Sequence, residues 1–196
     1  MRLGEIGTFT RGSGLQKKDF TEEGVGCIHY GQIYTKYGLF ADKTLSFCRK
    51  ELSEKLKKAK YGDIIIATTS ENVEDVGKPL AWLGKEKVAV SGETHIFTHN
   101  QDPKYITYAL TGSNFFDYKR RKAFGTKVIR LTGDALADFR IPLPPLEEQR
   151  RIAGILDKFS ELEAELEAEL EARRKQYGHY RERLLGFGEN CPPGVI

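Results

Sequence analysis

The sequence predicts an α+β protein: a mixed globular domain over residues 1–141, followed by one long C-terminal coiled-coil helix over 142–187 and a tail at 188–196. Three observations carry this. Short β-branched runs such as Ile64-Ile65-Ile66 alternate with glycine-punctuated stretches through the first part of the chain. A proline-rich breaker, Pro142-Leu143-Pro144-Pro145, then interrupts that texture. Beyond it lie about forty residues without proline, in which apolar side chains recur at steps of three and four.

In chain order, residues 1–24 hold Gly4, Gly7, Gly12, Gly14 and Gly24 and read as loop with short strands. Val25–Tyr30 reads as a strand. Leu52 and Leu56 give Arg49–Lys58 helical spacing. Asp63–Thr68 is a buried strand, because its apolar run is too short and too β-branched for a helix. Lys87–Ser91 and His95–Thr98 are strands around a turn at Ser91-Gly92-Glu93. Pro103 suits the first turn of a helix through Ala109-Leu110. Asn114 can cap a second helix through Lys122. Val128–Leu131 and Phe139–Ile141 are the last strands, around the short segment Gly133–Ala137.

The helical stripe reads Ile152, Ile155, Phe159, Leu162, Leu166, Leu170, Arg173, Tyr177, Tyr180 and Leu184. It is too narrow for the face of a globular helix and fits a coiled-coil seam, so these ten are the expected dimerisation residues. From Leu146 to Gly186 the helix spans about 60 Å at 1.5 Å per residue. Such a helix cannot cover its own stripe and needs a partner helix. Glu161–Ala172 is Glu-Leu-Glu-Ala three times over. Its leucines break the three-four alternation as a stutter, where the supercoil relaxes. Arg173 occupies a seam position, so it is expected to snorkel or to meet Glu163 or Glu167 of the partner. Glutamates crowd 161–171, and Arg173, Arg174, Lys175, Arg181 and Arg183 follow. An antiparallel pair brings the acidic block near the basic one; the same order also suits the helix dipole of a single helix. Pro192-Pro193-Gly194 makes 188–196 a loose end.

The chain has 196 residues with 39% hydrophobic and 11% aromatic content, enough for one cored domain plus an extension. The N-terminus lacks the apolar stretch of a secretory signal, and no run of about eighteen apolar residues could span a membrane. Cys27, Cys48 and Cys191 are odd in number and form no C-x-x-C, which suits a reducing, cytoplasmic setting. Residues 1–145 carry 23 Lys and Arg against 17 Asp and Glu, a net +6, whereas 146–196 carry 8 against 11, a net −3. A basic domain on an acidic stalk suits a polyanionic partner such as double-stranded DNA, although +6 also fits an ordinary surface.

Several stretches offer DNA-binding chemistry. Phe115-Phe116-Asp117-Tyr118-Lys119-Arg120-Arg121-Lys122 sets aromatics beside four cations. Lys119, Arg120 and Arg121 are candidates for phosphate contact, as is Lys127 in the following glycine loop, and so are Lys17 and Lys18 near Arg11. The alternative is a solvated helix end with cations at its C-terminus. Tyr30, Gln32 and Tyr34 follow a strand, and Gln can bond an adenine edge bidentately. Thr68, Thr69, Ser70 and Asn72 cluster at a strand end and suit base or phosphate contacts; both groups also read as polar turns.

Catalytic and metal readings find little. Cys27-x-His29 and His95-x-x-x-His99 have ligand-like spacing, but no second cluster completes a site. The phosphate loop, the dinucleotide fingerprint and the G-x-S-x-G elbow are all missing. Asp63, Glu71 and Glu93 are scattered acids that could in principle make a nuclease centre. The expectation is no catalytic residue, no metal and no cofactor.

One segment points further. Ile141-Pro142-Leu143-Pro144-Pro145-Leu146-Glu147-Glu148-Gln149-Arg150-Arg151-Ile152-Ala153-Gly154-Ile155-Leu156-Asp157 resembles the junction into the long helix in DNA-specificity subunits of type I restriction-modification systems. Leu3-Gly4-Glu5-Ile6, Gly62-Asp63-Ile64-Ile65-Ile66-Ala67-Thr68 and Gly125-Thr126 before Arg130-Leu131 add to the likeness, which covers residues 1–187. The resemblance implies a non-catalytic recognition subunit. Its domain over 1–141 reads DNA, and it holds DNA methyltransferase subunits in place; a motor-nuclease subunit can join them. The usual member carries two recognition domains and two long helices paired antiparallel. This chain has one of each and looks like a half-size form. Its expected partner is therefore itself as an antiparallel homodimer, or a second half-subunit, reading a split target. Two rivals stand beside this: a self-contained DNA-modifying enzyme, and a coiled-coil scaffold that never touches DNA.

Overall fold

The computed structural model describes residues 1–186 of the chain. In chain order its elements are α1 (Leu3–Ile6), β1 (Gly7–Arg11), β2 (Phe20–Thr21), β3 (Val25–Ile28), α2 (Tyr30–Thr35), β4 (Phe40–Ala41), β5 (Ser46–Cys48), α3 (Lys50–Ser53), β6 (Lys58–Ala59), β7 (Ile64–Ala67), β8 (Thr69–Ser70), β9 (Lys78–Trp82), β10 (Val88–Val90), β11 (Thr94–His99), α4 (Pro103–Ala109), α5 (Ser113–Lys122), β12 (Ile129–Arg130), α6 (Gly133–Asp138) and α7 (Leu146–Leu185). The chain divides into two compact units, the first ending at Ala153 and the second beginning at Gly154 within α7.

Two five-stranded sheets build the first unit, in the orders β1-β11-β7-β9-β4 and β2-β5-β3-β10-β6. A strand sends successive side chains to opposite faces, and the apolar residues obey that period. In the first sheet Ile64, Ile66, Ala81 and Phe97 face a core shared with Tyr105, Ile106, Phe115 and Leu136 of the helices. Their neighbours Ile65, Ala67, Leu80, Trp82 and Ile96 face a second core, which Ile28, Val88 and Val90 of the other sheet close. The second sheet's outer face carries Cys27, Cys48 and Ala89, packed with Leu15 and Leu56. A short ladder, β8 with β12, lies apart from both sheets. Burial pushes the Cys27 thiol up to about 12, with the neighbouring Cys48 adding to the shift. Both cysteines are free and buried. Cys191 and the tail at 188–196 lie outside the described residues.

Several local expectations change. The strand predicted over Val25–Tyr30 stops at Ile28, because His29 caps α2. The His29 Nδ1 accepts from the Gly31 N–H at 3.2 Å, while Gln32 Oε1 accepts from the His29 N–H at 3.0 Å. That reciprocal pair is a capping box. The helical spacing at Arg49–Lys58 yields only α3, then a turn and β6. The strands predicted around Ser91-Gly92-Glu93 exist, but they do not pair as a hairpin; β10 joins the second sheet and β11 the first. Asn114 is not a cap: Gly112 is the N-cap of α5, and Asn114 is its second residue. Gly133–Asp138 is a helix, capped by the Thr132 hydroxyl, which accepts from the Ala135 N–H. Phe139–Ile141 is no strand. It runs beside the N-terminus, with Leu3 N–H donating to the Phe139 carbonyl at 2.9 Å and the terminal ammonium to that of Ile141 at 2.8 Å. The strands β4, β5 and β9 were not read from the sequence.

The start of α7 is held inside the first unit. Gln149 is fully buried. Its Oε1 accepts from the Asp102 N–H at 3.1 Å, and its Nε2 donates to Gln101 Oε1 at 2.9 Å and the Pro144 carbonyl at 2.8 Å. The Tyr105 hydroxyl donates to the Pro142 carbonyl at 2.9 Å. Ala153 is buried and Ile152 packs on the helix-side core, so Ile152 is partly spent within the protomer.

Further along α7 the stripe is bare. Ile155, Phe159, Leu162, Leu166, Leu170, Tyr177, Tyr180 and Leu184 are all exposed, Phe159 at 64% and Leu166 at 65%. An open groove runs along Phe159, Leu162, Leu166 and Leu170, edged by Glu163 and Glu167. Within the helix Arg173 lies 3.5 Å from Glu169 and donates to Gln176 at 3.3 Å. No helix among the described residues is long and apolar enough to cross a membrane.

Candidate nucleic-acid interface

Capping α2 against β3 and ending β7 in the polar run 68–72 leaves a cleft of about 680 Å³ between them. Seven of the predicted DNA-binding residues line it: Lys17, Tyr30, Gln32, Tyr34, Thr69, Ser70 and Asn72. Phe20, Thr35, Lys36, Ser46 and Asp75, which the sequence did not single out, line it too, as does Glu71, one of the scattered acids noted above.

These side chains divide by what they already hold. Gln32 is buried; besides its capping bond, its Nε2 donates to Ser46 Oγ at 2.8 Å. The Tyr34 hydroxyl donates to the carbonyls of Thr69 at 2.9 Å and Ala67 at 3.2 Å. Burial raises its pKa above the usual phenol range, so it stays a donor. Thr69 Oγ1 donates to the Glu93 carboxylate at 2.5 Å. Thr68 is buried outside the cleft, with its Oγ1 3.3 Å from both the Glu93 carbonyl and His95 Nδ1. Asn72 closes a turn on Asp75: its Nδ2 donates to Asp75 Oδ2 at 2.8 Å and its Oδ1 accepts from the Asp75 N–H at 2.7 Å. The amide and hydroxyls that looked suited to bases therefore build the cleft walls.

Asn72 stays exposed within its turn; the other groups presented to solvent are different ones. Lys17, Thr35, Lys36 and Glu71 are exposed along the cleft. Tyr30 is half-buried, with its ring 4.5 Å from that of His29 and edge-on to Tyr34 at 6.4 Å. Desolvation, and then the Lys17 charge, lower the pKa of His29. The neutral ring fits its role as acceptor for the Gly31 N–H. Lys18 is exposed beside Lys17 in the 3-10 turn Lys17–Asp19.

The basic helix α5 lies outside the cleft lining and is not uniform. Lys119 is buried, and its Nζ donates to the carbonyls of Glu74 at 2.5 Å and Val76 at 2.8 Å. Burial lowers its pKa. Its ammonium braces the loop that carries Asp75 and does not reach the surface. Arg120 and Arg121 are exposed, Arg120 with its guanidinium 5.9 Å from the Phe116 ring centre. Lys127 is exposed in the turn opened by Gly125, whose φ of +114° only glycine adopts readily.

The signal that could have separated these roles was present. His29-x-x-Gln32 before an apolar residue is a capping-box pattern, which assigns Gln32 to structure. Phe115 and Lys119 stand four apart, so the burial of one implied the other. Nothing in the sequence marked Lys36, the C-cap of α2, or Ser46, which meets the cleft through the pairing of β3 and β5. Cys27 faces the outer cluster, whereas His29 caps α2. Among the described residues no group of three or more His, Cys, Asp or Glu could hold a metal ion.

Comparison with known proteins places this architecture. A type I restriction enzyme specificity subunit of Haemophilus influenzae is 31% identical over 165 residues, covering 79% of this chain and 40% of that protein. The corresponding Escherichia coli subunit is 42% identical over 89 residues, or 43% of this chain and 22% of its own length. A solved structure concerned with complex assembly and conformational transition of the type I system matches with TM-score 0.64 at 24% identity, covering 90% of this chain and 42% of its own. The HsdS subunit from Thermoanaerobacter tengcongensis matches with TM-score 0.59 at 20% identity, covering 86% and 38%. The chain thus shares their α+β fold with a long C-terminal helix and spans less than half of each. Residues 1–172 match the family model of the type I restriction modification DNA specificity domain, and the chain belongs to that family.

Proposed function

We propose that this chain is a half-size specificity subunit, without chemistry of its own, that binds double-stranded DNA sequence-specifically and positions DNA methyltransferase subunits on it. A motor-nuclease subunit can join the same complex. The observation that carries the reading is the cleft between α2 and the run 69–75, with Lys17 and Lys36 exposed along it and Tyr30 and Glu71 presented to solvent. Lysines grip phosphates and set register, while a carboxylate at a groove accepts from a cytosine amine. Lys18, Arg120, Arg121 and Lys127 extend the phosphate-contacting surface; Gln32, Tyr34 and Thr69 support it from behind, and Asn72 holds an exposed turn at its edge.

The exposed stripe of α7 carries the second part. One copy leaves it in water, so two copies pair their helices antiparallel and each contributes one domain. Twofold symmetry then implies the same half-site repeated in inverted order across a spacer. Footprinting of the methyltransferase-bound chain tests this. Two inverted half-sites are expected; one contiguous asymmetric site would overturn the symmetric dimer. Binding that ignores salt, or a purified chain that cuts or methylates DNA alone, would overturn the recognition role.

A further inference from the structure

The seam of α7 has a spacing that reads the same in both directions. Its exposed positions from Ile155 to Tyr177 are 155, 159, 162, 166, 170, 173 and 177, so the steps are four, three, four, four, three, four. Ile152 and Tyr180 extend the pattern by three on each side. The centre of the mirror is Leu166. An antiparallel partner presents its sequence reversed, so a seam matches itself along its whole length only when its spacing is symmetric about the twofold axis. We infer that two copies pair with that axis at Leu166, Leu162 facing Leu170, Phe159 facing Arg173, and Ile155 facing Tyr177 of the second copy. The inference rests on the homodimer reading above and adds its register.

The stutter explains the choice. Sliding one helix by a heptad keeps most layers but moves the double four-residue step off the axis. Leu170 then faces Glu169, or Leu162 faces Glu163, at the middle of the pair. Two further features fall on the same mirror. Gly154 and Gly178 each stand twelve residues from Leu166, and a Cβ at either would meet nothing within 4 Å in the protomer. Glycine weakens a helix interior, and no packing inside one copy asks for it. Facing each other in the pair, the two leave room for the rings of Tyr177 and Tyr180. Arg173 finds a place as well. Its guanidinium comes over the Phe159 ring of the second copy, with Glu163 one turn further on.

The register has a cost with a readable sign. The glutamates at 161, 163, 165, 167, 169 and 171 are symmetric about Leu166 too, so acid faces acid near the axis. Lys175 faces Asp157 and Glu182 faces Arg150 further out. Exposed like-charge pairs are weak and screened by salt, while buried leucine is neither. Association therefore tightens as salt rises. A register matching the acidic block to the basic one would weaken instead.

Single-cysteine variants of the full chain in a Cys191→Ser background test this, since Cys27 and Cys48 are buried. Under mild oxidation Leu166→Cys is expected to cross-link to itself. Leu162→Cys and Leu170→Cys should each remain uncross-linked alone and link when mixed, because a disulfide needs Cα atoms within about 7 Å. Self-linking of all three overturns the inference in favour of a parallel pair; self-linking of only Leu170→Cys or only Leu162→Cys overturns it in favour of a slid one. A dimer by light scattering that weakens between about 0.05 and about 0.5 M salt also refutes the register while leaving the homodimer intact. A monomer by light scattering, with no cross-link at any position, refutes the register and the homodimer together.

Discussion

Ile65 and Leu166 are both aliphatic residues in regular secondary structure, yet Ile65 is wholly enclosed between two sheets and Leu166 is 65% exposed. In the first unit each strand's two faces find a core, because two sheets and a layer of helices are supplied by the same chain. In α7 beyond Ala153 the apolar stripe continues with nothing in the described residues of its own unit to cover it. The contrast separates two jobs. The domain finds its cores within one chain, whereas the stripe is left for the second helix of the proposed homodimer. A substitution should therefore report on stability in one region and on association in the other, never on both.

Breaking the seam gives the largest effect. In the proposed homodimer Leu170→Asp removes two leucine layers and places a charge in each, an expected loss of about 3–6 kcal/mol in association. Analytical ultracentrifugation should show a monomer, with the thermal melt of the domain unchanged. The mirror experiment is Phe97→Ala. Phe97 is fully buried and stacked 4.4 Å from Phe9, so about 3–5 kcal/mol of domain stability is expected to go, read by denaturant unfolding. Dimerisation should be untouched. If the first variant unfolds the domain, or the second dissociates the dimer, the division between the two regions fails.

Acid sharpens the same contrast. His99 is packed on Phe97, its Nδ1 accepts from the Gln101 N–H at 3.1 Å, and its Nε2 has no partner. Desolvation holds its pKa down at about 4, against 6.5 for an ordinary histidine. The folded form therefore resists protonation that the unfolded chain accepts. The stabilisation is complete above pH 6.5 and is lost progressively as pH falls toward 4, amounting to about 3 kcal/mol for this group. His99→Gln should flatten that stretch of the stability–pH curve; an unchanged slope would mean that other groups carry it. Lys119→Met comes next. It leaves the Glu74 and Val76 carbonyls unpaired, for a loss of about 1–3 kcal/mol, with the salt dependence of DNA binding as in the parent chain.

The sequence showed the fold class and the ends of the molecule better than its middle. The α7 stripe was legible because a period of three and four over ten positions has no other reading. The buried strand at Ile64–Ala67 was legible because β-branched runs are short-range signals. Strands β4 and β9 were not, since β9 contains Pro79 and β4 is two residues long; β9 exists through its antiparallel pairing with β7, and β4 through its parallel pairing with the end of β9. The candidate site shows the same limit. The segments that form the cleft were correctly placed near strand ends, but hydrogen bonds reaching across the fold decide which side chains remain available. Gln32 and Ser46, or Tyr34 and Thr69, are partners that only the tertiary structure joins.

The smallest expected effect concerns Arg120 and Arg121, where two physical readings still compete. Cations in the last turn of α5 favour its dipole, and neutralising them on that account alone costs about 0.3–1 kcal/mol of stability without touching DNA. As phosphate ligands they would act differently. Neutralising one phosphate-binding cation lowers the slope of log affinity against log salt by about one, uniformly across DNA sequences. The exposed side chains, next to a lysine that is fully occupied inside, favour the second reading, since α5 is already secured by Lys119. Arg120→Gln with Arg121→Gln should therefore reduce the salt slope by about two, with the melting temperature nearly unchanged. A lowered melting temperature with an unaltered slope would return both arginines to the helix and confine the DNA contact to the cleft around Lys17 and Lys36.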